Sequence, residues 1–155
     1  GYSGGGRQMI EAYETHKAPL FEQYGLGLEH KHVPEIVKWS ALTARPLFVP
    51  SVGNFRQGML VNVPLHLDAL PGRPKAADLE AALSKHYAGQ HYVRVVHPDA
   101  SGRLDALALN GTNNLELMVY ANENRRQAVL VARLDNLGKG ASGAAVQNTE
   151  LMLGL

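Results

Sequence analysis

Two histidines stand one residue apart in HKHVPEI, at positions 30 and 32, and imidazole is the side chain whose ordinary pKa lies closest to neutrality. In an extended segment residues i and i+2 project to the same side, so His30 and His32 would share a pocket while Lys31 points away. Such a pair suits general acid/base work, with His32 the first candidate and His30 the second. Glu35 lies three residues past His32, in the first turn of a helix opened by Pro34, and could accept a ring N–H and hold one imidazole in place. The same spacing also suits zinc, through two imidazoles on one side, if a third ligand such as Glu35 or His66 converges. A purely structural reading has one ring capping or packing against the helix start.

Glycine marks two further places where backbone N–H groups could approach an anion. GYSGGGR has four glycines in its first six residues, which by composition alone resembles a linker or a fusion scar. Its small residues and Arg7 would equally suit a phosphate or carboxylate. Near the other end, GKGASG puts Lys139 at the start of a final helix, where its ammonium and the helix N-terminus could meet an anion together. Asp135 and Asn136 just before it read as turn and capping residues.

The elements that would position these groups alternate between helix and strand. RQMIEAYETH has Met9, Ile10 and Tyr13 at helical spacing, PEIVKWSAL reads as a second helix, and ADLEAALSKHYAG as a third with Gly89 near its end. SVGNFRQG reads as a loop feeding a strand in which Met59, Val61, Val63, Leu65 and Leu67 alternate with polar residues, Pro64 implying an edge position. YVRVV is a short strand stopped by Pro98. LELMVYA and QAVLVARLD flank the polar turn NENRR as an antiparallel hairpin, Leu115, Leu117 and Val119 defining one face; in an assembly module, a sheet face made by Leu115, Leu117, Val119, Val129 and Val131 would bury against a partner subunit. The last segment carries a stripe of Ala145, Val146, Thr149, Met152 and Leu153 that must cover something. The expected class is α+β, a mostly antiparallel or mixed sheet with helices on one face.

The 155 residues fit one domain, and with 45% apolar and 19% charged residues the composition is that of an ordinary globular chain. No apolar run approaches the roughly 20 residues that span a bilayer, and no signal peptide is expected before Gly1. Fifteen basic against 14 acidic residues give a formal charge of +1, too little to gather a polyanion, so nucleic acid is not an expected partner. The cysteine count is zero, which excludes a disulfide framework, a thiolate metal site and a cysteine nucleophile within these residues.

DNLGKGASGAAVQNTELMLGL, at residues 135–155, resembles the C-terminus of N-acetyl-gamma-glutamyl-phosphate reductases, relatives in fold of the aspartate-semialdehyde and glyceraldehyde-3-phosphate dehydrogenases. GYSGGGR resembles that family's S-G-x-G-R segment, and HKHVPEI its H-x-H-x-P-E-I segment. The resemblance implies a C-terminal substrate-binding and oligomerisation domain over 1–155, with 136–155 a helix that would pack on an absent nucleotide-binding domain. It also implies a homo-oligomer, dimer or tetramer, in the cytoplasm. The implied reaction is reduction of an acyl phosphate to an aldehyde: a cysteine, absent here, displaces phosphate to form a thioester, and NADPH supplies hydride. NADP would be bound mainly by the absent domain, and the isolated chain is expected to be inactive and to bind no cofactor or metal. In this frame Ser3, Gly4, Gly6 and Arg7 are candidates for the substrate anion. Gln57 stands where many relatives carry arginine, with Arg56 displaced by one position. Lys139 and Gly140 become candidates for a cofactor-side wall. Aspartyl phosphate or a carrier-linked aminoadipyl phosphate remain open as substrates, and a non-catalytic assembly module remains open as a role.

Overall fold

Alternating apolar residues in LELMVYAN and QAVLVARL build the hairpin on which the second half of the chain is organised. In the computed structural model, which describes residues 1–155, strands β5 (Leu115–Asn122) and β6 (Gln127–Leu134) pair antiparallel. The loop 123–126 fixes their register: Asn122 Oδ1 accepts the Arg125 N–H at 3.1 Å, and Arg126 takes a left-handed φ of 52°. β3 (Met59–His66) pairs antiparallel with β6, and β4 (Val93–Val95) runs parallel to β5, giving the order β3-β6-β5-β4. Pro64, which has no N–H to donate, sits on the edge strand β3, as its chemistry requires.

Helix α3 (Ala76–His86) covers one face of this sheet. Its start is tied to the hairpin loop, because the Ala76 N–H donates to Glu123 Oε1 at 2.6 Å, and Asp78 Oδ2 accepts the Lys75 N–H at 2.8 Å. Ala76, Leu79 and Leu83 pack on a buried centre of Leu67, Val119 and Ala128, each fully buried large aliphatic side chain contributing about 1.5–3 kcal/mol. The mixed sheet with a helix on one face is the α+β arrangement expected. One detail is corrected by the register. Leu115, Leu117 and Val119 share a face with Leu134, Ala132 and Leu130, whereas Val129 and Val131 oppose Tyr120 and Met118 on the other face. The first of these faces carries Val119, which lies in the core against α3, so the five residues do not form one partner surface. Strand period is two, and the loop length decides which residues meet.

The chain gathers into two compact units, Gly1–Arg56 and Gln57–Leu155, where length and composition pointed to one domain. The first holds a short 3₁₀ turn (Tyr2–Gly5), α1 (Gly6–Glu14), β1 (Phe21–Gln23), α2 (Val33–Ser40) and β2 (Ser51–Gly53). β1 and β2 pair antiparallel, Phe21 opposite Gly53, so SVG is a strand and not the loop expected. Three residues are too few to show a period. Tyr13 is buried and stacks on Tyr2, ring centroids 5.0 Å apart. With Tyr13, Val33 and Val52 its only buried apolar residues, this unit leaves Leu20, Phe21, Trp39 and Leu47 largely exposed. Small units cannot cover all of their apolar surface.

The final segment begins as a π-helical turn, Gly138–Ser142, and becomes the helix α4 over Gly143–Leu153. The apolar stripe expected to cover something is open: Met152 is 86% and Leu153 67% exposed.

Candidate functional site

The segment carrying the histidines is a turn, not the extended strand assumed from its spacing. His32 is the N-cap of α2 with φ −79° and ψ −15°, and the His30 carbonyl accepts the Val33 N–H at 3.0 Å. Pro34 near the start of α2 has no N–H to leave unsatisfied, which is why the helix begins there. The turn still brings the rings together, centroids 4.7 Å apart and edge to face. The His32 backbone N–H donates to His30 Nδ1 at 3.2 Å. His32 is exposed and its imidazole makes no hydrogen bond, while His30 is half-buried.

Two aromatic neighbours were not legible from spacing. Tyr24 lies 5.9 Å and Phe48 5.0 Å from the His30 ring, centroid to centroid, and Phe48 is 6.2 Å from His32. Burial, and then the charges of His32 and Lys31, hold the His30 imidazole below its ordinary pKa. Glu35 sits in the first turn of α2, exposed, and bonds neither ring. The segment is instead braced by Arg45, which donates to both carboxylate oxygens of Glu29 at 3.0 and 2.9 Å and to the Leu28 carbonyl at 2.8 Å. An open groove of about 530 Å³ runs beside this brace, lined by Val33, Pro34, Val37 and Leu42. No group of three or more His, Asp or Glu side chains is disposed to hold a metal ion.

The glycine-rich segment belongs to the same unit. Its Tyr2 and Ser3 N–H groups donate to the Phe55 and Arg56 carbonyls at 2.9 and 3.0 Å, just past β2. The histidine cluster meets the opposite end of β2, where the Tyr24 N–H donates to Pro50 at 3.1 Å. Four residues lie between Pro50 and Phe55, and the five steps from one to the other reach at most about 17 Å. Gly6 opens α1 with φ +77° and ψ −175°, a conformation essentially confined to glycine. Gly4 and Arg7 are exposed, and the Arg7 guanidinium has no partner in the chain.

Gln57 is placed differently. Its side-chain amide donates to Asp135 Oδ2 at 2.7 Å, and Asp135 is fully buried. The same carboxylate accepts the Gly111 and Leu137 N–H groups, each at 2.8 Å, while Asn136 Oδ1 accepts the Gly58 N–H at 2.8 Å. Burial alone would raise the Asp135 pKa, but donation from Gly111, Leu137, Gly138 and Gln57 outweighs it and holds the carboxyl below its ordinary value. One N–H of the Gln57 amide is thus committed to the fold, and the turn and capping reading of Asp135 and Asn136 describes what these residues do.

The cofactor-side candidates are engaged as well. Lys139 Nζ donates to Gln147 and lies 5.7 Å over the Tyr92 ring, and the Gly140 N–H donates to the Asp135 carbonyl at 2.9 Å. One of the three N–H groups of the Lys139 ammonium is thus committed to Gln147, and the Gly140 amide to the backbone.

A family model described as "Semialdehyde dehydrogenase, dimerisation domain" matches residues 1–136. N-acetyl-gamma-glutamyl-phosphate reductase 2 of Pseudomonas putida is 51% identical over 99% of this chain. The N-acetyl-gamma-glutamyl-phosphate reductases of Burkholderia cenocepacia and Brucella ovis are each 51% identical over the same share. The alignments cover 51%, 51% and 52% of those three proteins, so the chain spans about half the length of the curated relatives it matches.

Proposed function

This chain belongs to the semialdehyde dehydrogenase dimerisation-domain family, and from that premise we propose that it is the substrate-binding and oligomerisation half of an N-acetyl-gamma-glutamyl-phosphate reductase of arginine biosynthesis, an NADP-dependent enzyme of the cytoplasm. The observation that carries the reading is the pair of imidazoles at the start of α2, 4.7 Å apart, in a chain half identical to proteins of that name. Reduction of an acyl phosphate breaks the bond from acyl carbon to phosphate, adds a hydride and a proton, and yields an aldehyde and inorganic phosphate. The substrate oxygen that becomes negative when its carbonyl is attacked takes up a proton only transiently and returns it as the aldehyde forms, the net proton leaving with the inorganic phosphate. His32, exposed, without a hydrogen-bond partner on its ring and paired with His30 at the start of α2, is our candidate to give and take it.

Ser3, Gly4, Gly6 and Arg7 would receive the substrate's phosphate or carboxylate, Arg7 through its planar fork and the glycines through close backbone approach. In this account the nucleophile, a cysteine that these 155 residues lack, and the main NADP-binding domain belong to the other half of the polypeptide, with Lys139 and Gly140 at most part of a cofactor-side wall. The chain alone is therefore inactive in this account. Residues 136–155, with the exposed Met152 and Leu153, would meet the other half of the polypeptide, and the family's dimerisation role makes a homo-oligomer of it. The test is phosphate-dependent reduction of NADP with N-acetylglutamate semialdehyde, run on the longer polypeptide and on these residues alone. Turnover by the longer form only is expected. Turnover with aspartate semialdehyde or a carrier-linked aminoadipate semialdehyde instead would move the substrate, and turnover by the 155 residues alone would overturn the division of labour.

A further inference from the structure

We propose that His30 is a positioning residue and not a proton carrier: its Nδ1 accepts the His32 backbone N–H, and its ring, locked as the Nε2–H tautomer against Phe48, fixes the turn that presents the His32 imidazole. The inference rests on the reading of His32 as the proton-transfer group and divides the labour between two residues that spacing leaves equivalent.

A backbone amide can only donate, so the 3.2 Å contact between the His32 N–H and His30 Nδ1 requires that nitrogen to carry a lone pair. The neutral ring then keeps its proton on Nε2. One residue thereby holds two consecutive amides, His32 through the ring and Val33 through the carbonyl at 3.0 Å. This is the arrangement by which Asn and Asp side chains stabilise turns, made here by an imidazole. The ring is fixed from its other sides too. Phe48 lies 5.0 Å away and Tyr24 5.9 Å, and the Cδ2 edge faces Gly25, where even an added methyl carbon would sit 3.6 Å from it.

Protonating Nδ1 would break the hydrogen bond that shapes the turn and would place a cation beside His32 and Lys31. The depressed basicity of His30 has the same direction. The His32 ring, by contrast, is exposed, forms no hydrogen bond and meets His30 edge to face. A group that must exchange protons needs that freedom, and a group that must hold geometry cannot have it.

The experiment is ¹⁵N imidazole spectroscopy of the 155-residue chain, with His30→Asn and His30→Gln beside it. Asparagine places an acceptor near the position of Nδ1, whereas glutamine reaches toward Nε2. The expected spectrum shows His30 neutral with Nδ1 unprotonated, and His32 signals retained in His30→Asn but shifted in His30→Gln. In the longer polypeptide, reductase turnover should fall less than about threefold for His30→Asn and roughly tenfold to a hundredfold for His30→Gln, the scale of a misplaced catalytic group. A proton on His30 Nδ1, or equal effects of the two variants on the His32 signals, overturns the proposal. If neither variant folds, the tautomer of the unsubstituted chain decides alone. Failure of the underlying reading looks different: the spectra would hold while the longer polypeptide reduced no NADP.

Discussion

The buried carboxylate of Asp135 and the histidine turn at residues 30–32 are both polar clusters set beside glycine-rich or helix-starting sequence, yet they end in opposite states. Asp135 is enclosed, and its oxygens accept from Gln57, Gly111 and Leu137, with Gly138 adding to the donors that hold it ionised. At the turn, one ring is bound into the backbone and the other is left exposed with its hydrogen-bonding capacity unspent. A polar group whose bonds are all made inside the protein has nothing left to offer a substrate. The contrast separates a structural lock from a working site more sharply than residue type does, since a perturbed titratable group can serve either role.

The largest effect that sharpens this contrast is expected at the lock. Asp135→Ala leaves the Gln57 amide and the N–H groups of Gly111 and Leu137 without partners, and should cost about 3–4 kcal/mol of stability, read from denaturant midpoints. A loss under about 1 kcal/mol would mean that water replaces the carboxylate and that the cluster is no lock. Next comes Gly58→Ala. Gly58 has φ +112°, and a Cβ there would lie 2.5 Å from the Ala106 carbonyl oxygen, a backbone atom that cannot rotate away. We expect about 2–3 kcal/mol of destabilisation, and a neutral result would show that the 105–111 turn is free to shift.

A smaller effect belongs to pH. Because His30 binds a proton less readily in the folded chain than in the unfolded one, the unfolded state takes up more protons, and stability rises with pH. The contribution is fully present above the ordinary imidazole pKa of about 6.5 and is lost as pH falls through the lower folded value. His30→Asn should therefore flatten part of the dependence of the urea midpoint between mildly acidic and neutral pH. An unchanged slope would place the effect on another histidine. The smallest stability change is expected for His32→Ala, within about 0.5 kcal/mol, as befits an exposed side chain without a hydrogen bond.

The sequence exposed those features whose causes are local. The hairpin at 115–134 follows from alternation and a polar turn, α3 from its apolar stripe, and the edge position of β3 from Pro64. The proximity of the two histidines is also legible, although a helix-capping turn and not an extended segment delivers it. What could not be read depends on partners distant in the chain. Gln57 is committed by Asp135, 78 residues away in sequence, and Lys139 by Gln147 and Tyr92. Phe48, between two prolines, reaches His30 only because β2 returns beside β1. Glu35 had the spacing to accept a ring N–H, but the helix-capping turn leaves it exposed in the first turn of α2 and bonded to neither ring.

The central claim, that His32 works while Asp135 holds, is tested most directly by assaying His32→Ala in the longer polypeptide for phosphate-dependent NADP reduction alongside its denaturation midpoint. The expected result is a fall in turnover of at least about a hundredfold, the scale of a lost general acid/base, at an unmoved midpoint. Turnover within a few-fold of the unsubstituted protein, or a loss that appears only together with unfolding, would contradict it.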